Sequence, residues 1–549
     1  MRVGDRVRVA LAGRRVGGWV TAVDVDPPPG VALRPLARWS GRGPTPDLLD
    51  LAGWAAWRWA GRPASFLRTA SPERVVTGLP AVRRRPSGRS SPPPGRLAAD
   101  ALGHDRSVLR LPPAADPAGP ALVAAARGNA LVLCPTAALA RHVAARLRAA
   151  GVTVASHPRD WALGAAGATV VGTRAAAWAP VGDLAAVVVV DEHDEAHQQE
   201  QAPTWHARDV VAERARRAGV PCLLVSPCPT LEALDWGRPI APGRIDERGG
   251  WPIVDVVDMR REDPRTGLLP PALVRWLRSD RRVLCVLNRT GRARLLACGA
   301  CRELARCERC DANVGQPGDD ALVCLRCGTS RPIVCAACGS GRLRSLRQGV
   351  SRVRDAIEAL VGEPVDELTA ARPAGDRPEA RVVVGTEAAL HQSTGADVVA
   401  FLDLDQELLA PRYRAAEQAL ALVARAARLV GGKSGGGRLL LQTHLPRHEV
   451  VQAALHGDPE RVAEVERARR ILLGYPPVTA LAEISGPAAP AFVEALTSGA
   501  PGTPGAPGAP GAPGAPGRRA ALPPGPLDSP GVSPGASGAP GVSPGASDS

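Results

Sequence analysis

The sequence predicts a multidomain α/β protein. A small N-terminal β-barrel precedes two parallel-sheet lobes, the second carrying a cysteine-rich insertion, and a disordered tail ends the chain. Three observations predict this. Apolar, strand-length runs alternate with amphipathic helical segments in two separate blocks, at 101–245 and again from 281, which is the pattern of sheets covered by helices on both faces. Four Cys-x-x-Cys pairs fall between Cys298 and Cys338, inside the second block. A Gly-Ala-Pro repeat fills 499–517, and low-complexity sequence continues to 549.

A chain of 549 residues can form several domains with substantial cores. Its formal charge is +14, and Lys433 is the only lysine, so the cations are almost all arginine. Part of that excess reflects a GC-rich coding sequence. The remainder favours a polyanionic partner, because guanidinium forks match phosphates. The tail's Arg518, Arg519, Asp528 and Asp548 cancel, so the net charge belongs to 1–498. The start is charged, and the longest apolar runs, such as 184–190, are far shorter than a membrane span. A soluble, cytoplasmic, nucleoid-associated protein with no membrane partner is expected.

Taken in order, 1–80 reads as short alternating strands at 6–9, 19–23 and 31–39, studded with Arg2, Arg6, Arg8, Arg14 and Arg15. A helix follows at 48–59, with Leu51, Trp54, Ala55 and Trp59 on one face. These tryptophans are read as core rather than as base-stacking platforms. Residues 81–100 form a basic, proline-rich linker able to tether to phosphates. In 101–245, strands are expected at 130–134, 169–171, 184–190 and 220–225, with helices at 137–149 and 206–218. Ligands on such sheets lie at the carboxyl ends of strands, where Asp191 and Glu192 stand. Residues 246–280 are read as a connector. The second lobe, 281–445, has strands at 282–287, 381–384, 398–402 and 438–442 and helices at 350–360 and 417–430. Residues 446–498 read as a helix and the start of a further small domain, and 499–549 as tail.

The insertion at 298–338 carries the clearest chemistry. Two residues between cysteines let both thiolates face one metal ion, and two such pairs complete a closed tetrahedral Cys₄ site, the structural form of zinc binding. Eight cysteines imply two Zn²⁺ ions with no open coordination position. Disulfides are the alternative, but nothing else here looks secreted. The gaps between pairs leave three pairings open, and spacing does not choose between them.

Three stretches resemble the PriA family of bacterial replication-restart proteins. The first, 187–209, contains Asp191-Glu192-His193-Asp194, close to that family's DEEH box and the aromatic loop after it. The second is the cysteine block with Leu287-Asn288-Arg289-Thr290-Gly291 before it. The third runs from Val382-Val383-Val384-Gly385-Thr386 through Leu402-Asp403-Leu404-Asp405 to Leu441-Gln442-Thr443-His444. Smaller matches are Gly172-Thr173-Arg174 and 53–67, and together they cover about 1–480. The resemblance implies two RecA-like helicase lobes, a 3′→5′ DNA helicase that recognises abandoned forks and recruits the replicative helicase, and an N-terminal pocket for the 3′ end of a nascent strand. It also implies nested zinc pairing: Cys298, Cys301, Cys335 and Cys338 on one ion, Cys307, Cys310, Cys324 and Cys327 on the other.

The departures from that family decide the expected activity. A P-loop needs glycine amides around the phosphates and a lysine reaching them. At the corresponding position this chain reads Leu111-Pro112-Pro113-Ala114-Ala115-Asp116-Pro117, with no lysine, and prolines lack N–H donors. Gly432-Lys433-Ser434 has Ala427 where the leading glycine belongs and lies between a helix and a strand, so it is read as a surface loop. The coupling motif reads Val225-Ser226-Pro227-Cys228-Pro229. Arg425 and Arg428 keep finger spacing without the motif's glycines. Asp191, Glu192, His193 and the two arginines are therefore read as relics, expected to form salt bridges or DNA-backbone contacts; ATP-driven unwinding is not expected, while residual ATP/Mg²⁺ binding is left open by the sequence.

These readings converge on a zinc-stabilised platform that binds forked and single-stranded DNA. Its expected partners are primosome proteins, the replicative helicase or its loader, and single-stranded-DNA-binding protein. Two rivals remain: an ATP-dependent 3′→5′ helicase with an atypical nucleotide site, and a zinc-ribbon scaffold without fork specificity. The C-terminal domain is expected to be cut short at the tail and the N-terminus to start late.

Overall fold

Residues 186–190 are five consecutive aliphatic side chains, and all five are fully buried in the computed structural model. Such a run suits only a strand covered on both faces. Leu184–Val190 is indeed central to a seven-stranded, all-parallel sheet. Across that sheet the order is Arg238–Ile240, Arg106–Arg110, Cys222–Ser226, Leu184–Val190, Asn129–Leu133, Thr169–Gly172, Val154–Ser156. The two-residue period of the strand sorts its side chains. Val187 and Val189 face one core, Ala186, Val188 and Val190 the other.

The structure describes residues 1–26, 30, 33–82, 95–287, 295–316, 321–324, 326–345, 350–369, 378–482, 484 and 486–497. The chain divides into two units, Met1–Leu481 and Ala482–Ser549. In the second, the described residues carry one helix, Ala489–Thr497. The tail, most of the basic linker and the Asn288–Gly291 part of the second resembling stretch lie outside the described residues.

The second lobe is a six-stranded parallel sheet in the order Ile253–Asp258, Arg438–Thr443, Val398–Phe401, Val283–Val286, Val382–Gly385, Val365–Leu368. Both parallel sheets carry helices on their two faces, so the chain has the two lobes of the parallel α/β class that the sequence predicts. The segment expected as a connector, 246–280, is different: its Ile253–Asp258 strand pairs along its whole length with Arg438–Thr443. Only Val254 and Val257 of that strand are buried, which is why a run search misses this edge strand. Glu449–His456 and Glu460–Leu473 add Val450, Val451, Ala453, Ala454 and Val462 to the core of the second lobe. The residues from 446 to 473 thus pack on that lobe rather than opening a separate domain. Likewise Arg96–Ala101, expected in the linker, is a helix whose Ala98 and Ala101 are buried on the first lobe.

At the N-terminus, the expected barrel is, among the described residues, a three-stranded antiparallel sheet. Arg6–Leu11 lies between Arg14–Trp19 and Arg38–Trp39. Val7 is the only buried apolar side chain on these strands, too little to line a closed barrel. The following helix, Pro46–Arg58, buries Leu48, Leu51, Ala52, Ala55 and Ala56 against the first lobe. Trp54 and Trp59 pack at its edge, and a chain of ring contacts (Trp54, Trp59, Phe66, Trp178, Trp205; centroids 5.2–6.4 Å apart) continues into the lobe. The tryptophans are core.

Candidate functional site

Three strand ends stand side by side on the first sheet: those of Arg106–Arg110, Cys222–Ser226 and Leu184–Val190. A motor would hold nucleotide at these carboxyl ends, facing the second lobe. Here the space is taken. Pro112, Pro113 and Pro117 have no amide hydrogen. The amides of Leu111, Ala114, Ala115, Ala118 and Gly119 are already given to Ser226 O, Gly250 O, Pro112 O, Asp116 Oδ1 and Asp116 O at 2.9–3.1 Å. Asp116, itself an anion, pairs with Arg146 at 2.9 Å. A side chain at Gly250 would overlap Pro112, with Cβ atoms 2.4 Å apart, so the loop is held against the start of the second lobe. Lys433 lies in an exposed turn after Ala415–Val430 and before Arg438–Thr443, as its sequence context predicts.

The acids at the end of Leu184–Val190 are also committed. Asp191 takes a left-handed backbone (φ 51°) and accepts a bidentate pair from Arg428, at 2.5 and 2.8 Å. Aspartate tolerates this conformation better than most residues. Burial of Asp191 would raise its pKa, but the Arg428 guanidinium overrides this and lowers it to about 2. Arg428 also reaches Pro113 O at 3.4 Å. Glu192 is fully buried: one oxygen accepts from Thr230 N at 2.8 Å, the other from Arg208 and the Thr230 hydroxyl, both at 3.1 Å. In this arrangement both carboxylate oxygens are engaged by protein donors. Burial holds the His193 pKa below its usual value. Its Nδ1 is 2.8 Å from the Ser226 hydroxyl, which preserves a link between the two worn motifs.

Arg428 belongs to a row. Along Ala415–Val430, residues 417, 418, 425 and 428 face the first lobe. Glu417 accepts from Leu231 N at 2.9 Å, Gln418 bonds Glu195, and Arg425 bonds Asp194. At one end the fully buried Arg470 joins Glu417, Glu466 and, at 3.2 Å, Glu232 of the first lobe, which Arg414 also engages. Sequence reading missed Arg208, Thr230, Glu232, Arg414, Glu417 and Arg470. Arg208 lies at the end of the 187–209 stretch, but the other five lie outside the resembling stretches, and the contacts that join the two lobes are remote in the chain. In the third resembling stretch, buried Asp405 accepts from the His444 amide and ring, at 2.9 and 2.8 Å.

The cysteines form two separate clusters, Cys298/Cys301/Cys335/Cys338 and Cys307/Cys310/Cys324/Cys327, with all sulfurs of each within 4.8 Å of one another. The nested grouping is thus the one the fold brings together. Closest cross-pair sulfur distances are 3.5–3.6 Å. Zinc–sulfur bonds of about 2.3 Å in a tetrahedron put sulfurs about 3.8 Å apart. A disulfide needs about 2.05 Å. Both clusters therefore suit a zinc ion. The inner one is tied to the second lobe: Arg326 donates to Cys310 O and Ala410 O at 2.9 and 2.8 Å, Asn313 N to Leu409 O at 2.9 Å, and Tyr475 to Arg326 O at 3.2 Å.

A cleft of about 560 Å³ opens where helix Pro63–Ala70 meets the first lobe, lined by Arg68, Thr69, Thr173, Arg174, Gln199 and Gln201 among others. Arg174 of the Gly172-Thr173-Arg174 match donates to Ala196 O and Gln198 O, at 3.0 and 2.7 Å, and so shapes the loop that forms one wall.

No protein-family model matches the chain. A protein described as probable replication restart protein PriA of Mycobacterium tuberculosis is 31% identical over 551 residues, covering 88% of this chain and 82% of that protein. The chain belongs to the PriA replication-restart family. Other PriA proteins align over less: that of Thermotoga maritima is 29% identical over 65% of this chain and 53% of its own length. That of Haemophilus influenzae is 26% identical over 57% of this chain and 46% of its own. Among solved structures, yeast Dbp5 bound to RNA and ADP BeF3 shares 11% identity at a TM-score of 0.38, covering 69% of this chain and 94% of that one. The helicase MrfA bound to DNA and AMPPNP shares 11% at a TM-score of 0.36, covering 67% and 50%. Among the described residues, no helix is long and apolar enough to cross a membrane.

Proposed function

We propose that this PriA-family chain binds stalled or branched replication forks and nucleates assembly of the replication machinery without unwinding DNA itself. The observation that carries the proposal is the set of side-chain contacts that join the two lobes and engage the motif residues. The residues that should meet phosphate, metal and water are bonded to the protein instead: Asp191 to Arg428, Glu192 to Arg208 and Thr230, and the 111–119 amides to neighbouring oxygens. A helicase converts opening and closing of its lobes into movement. Here the closing contacts form between protein groups alone, so the lobes act as a fixed body.

Family membership supports a replication-restart role. Forked and single-stranded DNA as ligand fits the +14 charge, the arginines of the N-terminal strands and the polar cleft holding Arg68. Two Zn²⁺ ions would be held by Cys298, Cys301, Cys335 and Cys338, and by Cys307, Cys310, Cys324 and Cys327. Bound there, zinc supplies a cross-link rather than a reaction, since four thiolates leave no open position. The thiolates hold a module that the second lobe presents outward, a surface suited to primosome proteins, to the replicative helicase or its loader, or to single-stranded-DNA-binding protein. The proposal is tested by fork and duplex binding at matched length. Preference for the fork with no ATP-dependent strand separation supports it. Equal affinity for both, or unwinding that vanishes in Asp191→Asn, contradicts it.

A further inference from the structure

The two cysteine clusters differ in the way that decides thiol chemistry, their exposure. In the inner cluster Cys307, Cys310 and Cys324 are buried and Cys327 half-buried, and the sulfurs sit in a small core with Ala305, Ala312, Val314 and Leu322. In the outer cluster Cys301 and Cys338 are exposed, one from each Cys-x-x-Cys pair. Attack on a bound thiolate requires access to its sulfur. An oxidant in solution therefore meets two outer sulfurs directly, whereas the inner ones become reachable only when the module opens.

We infer, building on the two-zinc reading, that the outer cluster is an oxidisable and exchangeable metal site while the inner cluster holds its ion permanently. The chemistry balances with hydrogen peroxide as oxidant. One thiolate gives two electrons to peroxide and becomes a sulfenic acid; a second thiolate displaces its oxygen, which leaves as water. Each disulfide thus consumes two thiolates, one peroxide and two protons and yields two waters. Two disulfides remove all four ligands, and Zn²⁺ leaves as the aqua ion. The cross pairs are close enough for this, Cys298 and Cys338 at 3.6 Å and Cys301 and Cys335 at 3.5 Å.

The remaining four cysteines do not compete. Cys134, Cys222, Cys228 and Cys285 are buried, and burial pushes Cys222 and Cys285 up to about 12, so they persist as inert thiols. The outer cluster also has a mechanical position. It closes the antiparallel stem of Leu296–Cys298 with Leu343–Ser345, and its Arg302 donates to Arg260 O and Glu262 O of the second lobe, at 3.4 and 3.1 Å. Losing the outer ion frees this stem while Arg326, Asn313 and Tyr475 keep the inner body docked.

The test titrates hydrogen peroxide into the full chain after its zinc content is measured, with a chromophoric chelator reporting released metal and peptide mass spectrometry locating disulfides. The expected result is release of one of two equivalents, with disulfides confined to Cys298, Cys301, Cys335 and Cys338, and recovery of that equivalent on reduction with added zinc. Cys338→Ser is expected to start with one equivalent and release none at the same dose. Simultaneous loss of both ions, or disulfides first among Cys307, Cys310, Cys324 and Cys327, overturns the inference. Fewer than two equivalents in the untreated protein overturns the two-zinc reading itself, and this inference with it.

Discussion

Asp191 shows how one residue changes the meaning of a motif. Its aspartate is kept, and its side chain is paired with the Arg428 guanidinium. Removing one member of such a buried pair strands the other charge, at a cost of about 3–5 kcal/mol. Asp191→Asn is therefore expected to lower the unfolding midpoint of the two-lobed body substantially, by an amount that Arg428→Met introduced alongside partly restores; full additivity of the two changes would contradict a direct pair. The sign of the pH dependence follows from the depressed carboxyl. Its folded value of about 2 lies below its ordinary 3.8, so its contribution is complete above about pH 4 and declines as pH falls toward 2. The stability gap between wild type and Asp191→Asn should stay level from pH 7 to pH 4 in denaturant titrations and shrink below that. A gap that closes already between pH 7 and pH 5 would point to a histidine instead.

At the level of elements, the helix Ala415–Val430 and the cysteine module carry the account. The helix was legible from its 3.6-residue apolar period, and the module from its four Cys-x-x-Cys pairs. What the helix presents to the first lobe was not legible, because Arg428 meets Asp191 across 237 residues of sequence and no local pattern encodes that meeting. The strand Ile253–Asp258 was missed for a related reason: as an edge strand with only Val254 and Val257 buried, it lacks the continuous buried run of central strands. Of the expected barrel, the described residues form a three-stranded sheet with Val7 its one buried apolar side chain. For the module, structural zinc contributes roughly 10–16 kcal/mol in isolated peptides. Cys310→Ser is accordingly expected to lose the inner ion and unfold 295–345 while the two sheets persist, read as heightened proteolysis within that span and an unchanged far-ultraviolet signal elsewhere. Retention of both ions would contradict the assigned ligands.

Over the whole molecule, on the proposed function, arginine on the N-terminal strands and in the Arg68 cleft would give DNA a positive path along the first lobe. Each duplex phosphate neutralised releases about 0.9 of a counterion, so fork affinity should fall steeply with salt. Arg68→Glu should weaken binding and reduce the slope of log affinity against log salt by about one, as expected of a phosphate contact. An unchanged slope would place the DNA elsewhere. The two parallel lobes and the insertion between their strands were within reach of sequence reasoning, since periodicity and spacing encode them directly; the nested cysteine grouping came only from the family resemblance, because spacing leaves three pairings open. The contacts between the lobes were within reach only in part: salt bridges were expected of Asp191 and Arg428, but not that these two would pair with each other.

The central claim, that the lobes form a fixed DNA-binding body rather than a motor, is tested most directly by ATP hydrolysis with and without forked DNA, using protein whose fork binding is verified in the same buffer. The account predicts no turnover above a no-enzyme control in either condition. DNA-stimulated turnover would mean that Arg428 leaves Asp191 when nucleotide arrives, and that the cleft between the lobes opens.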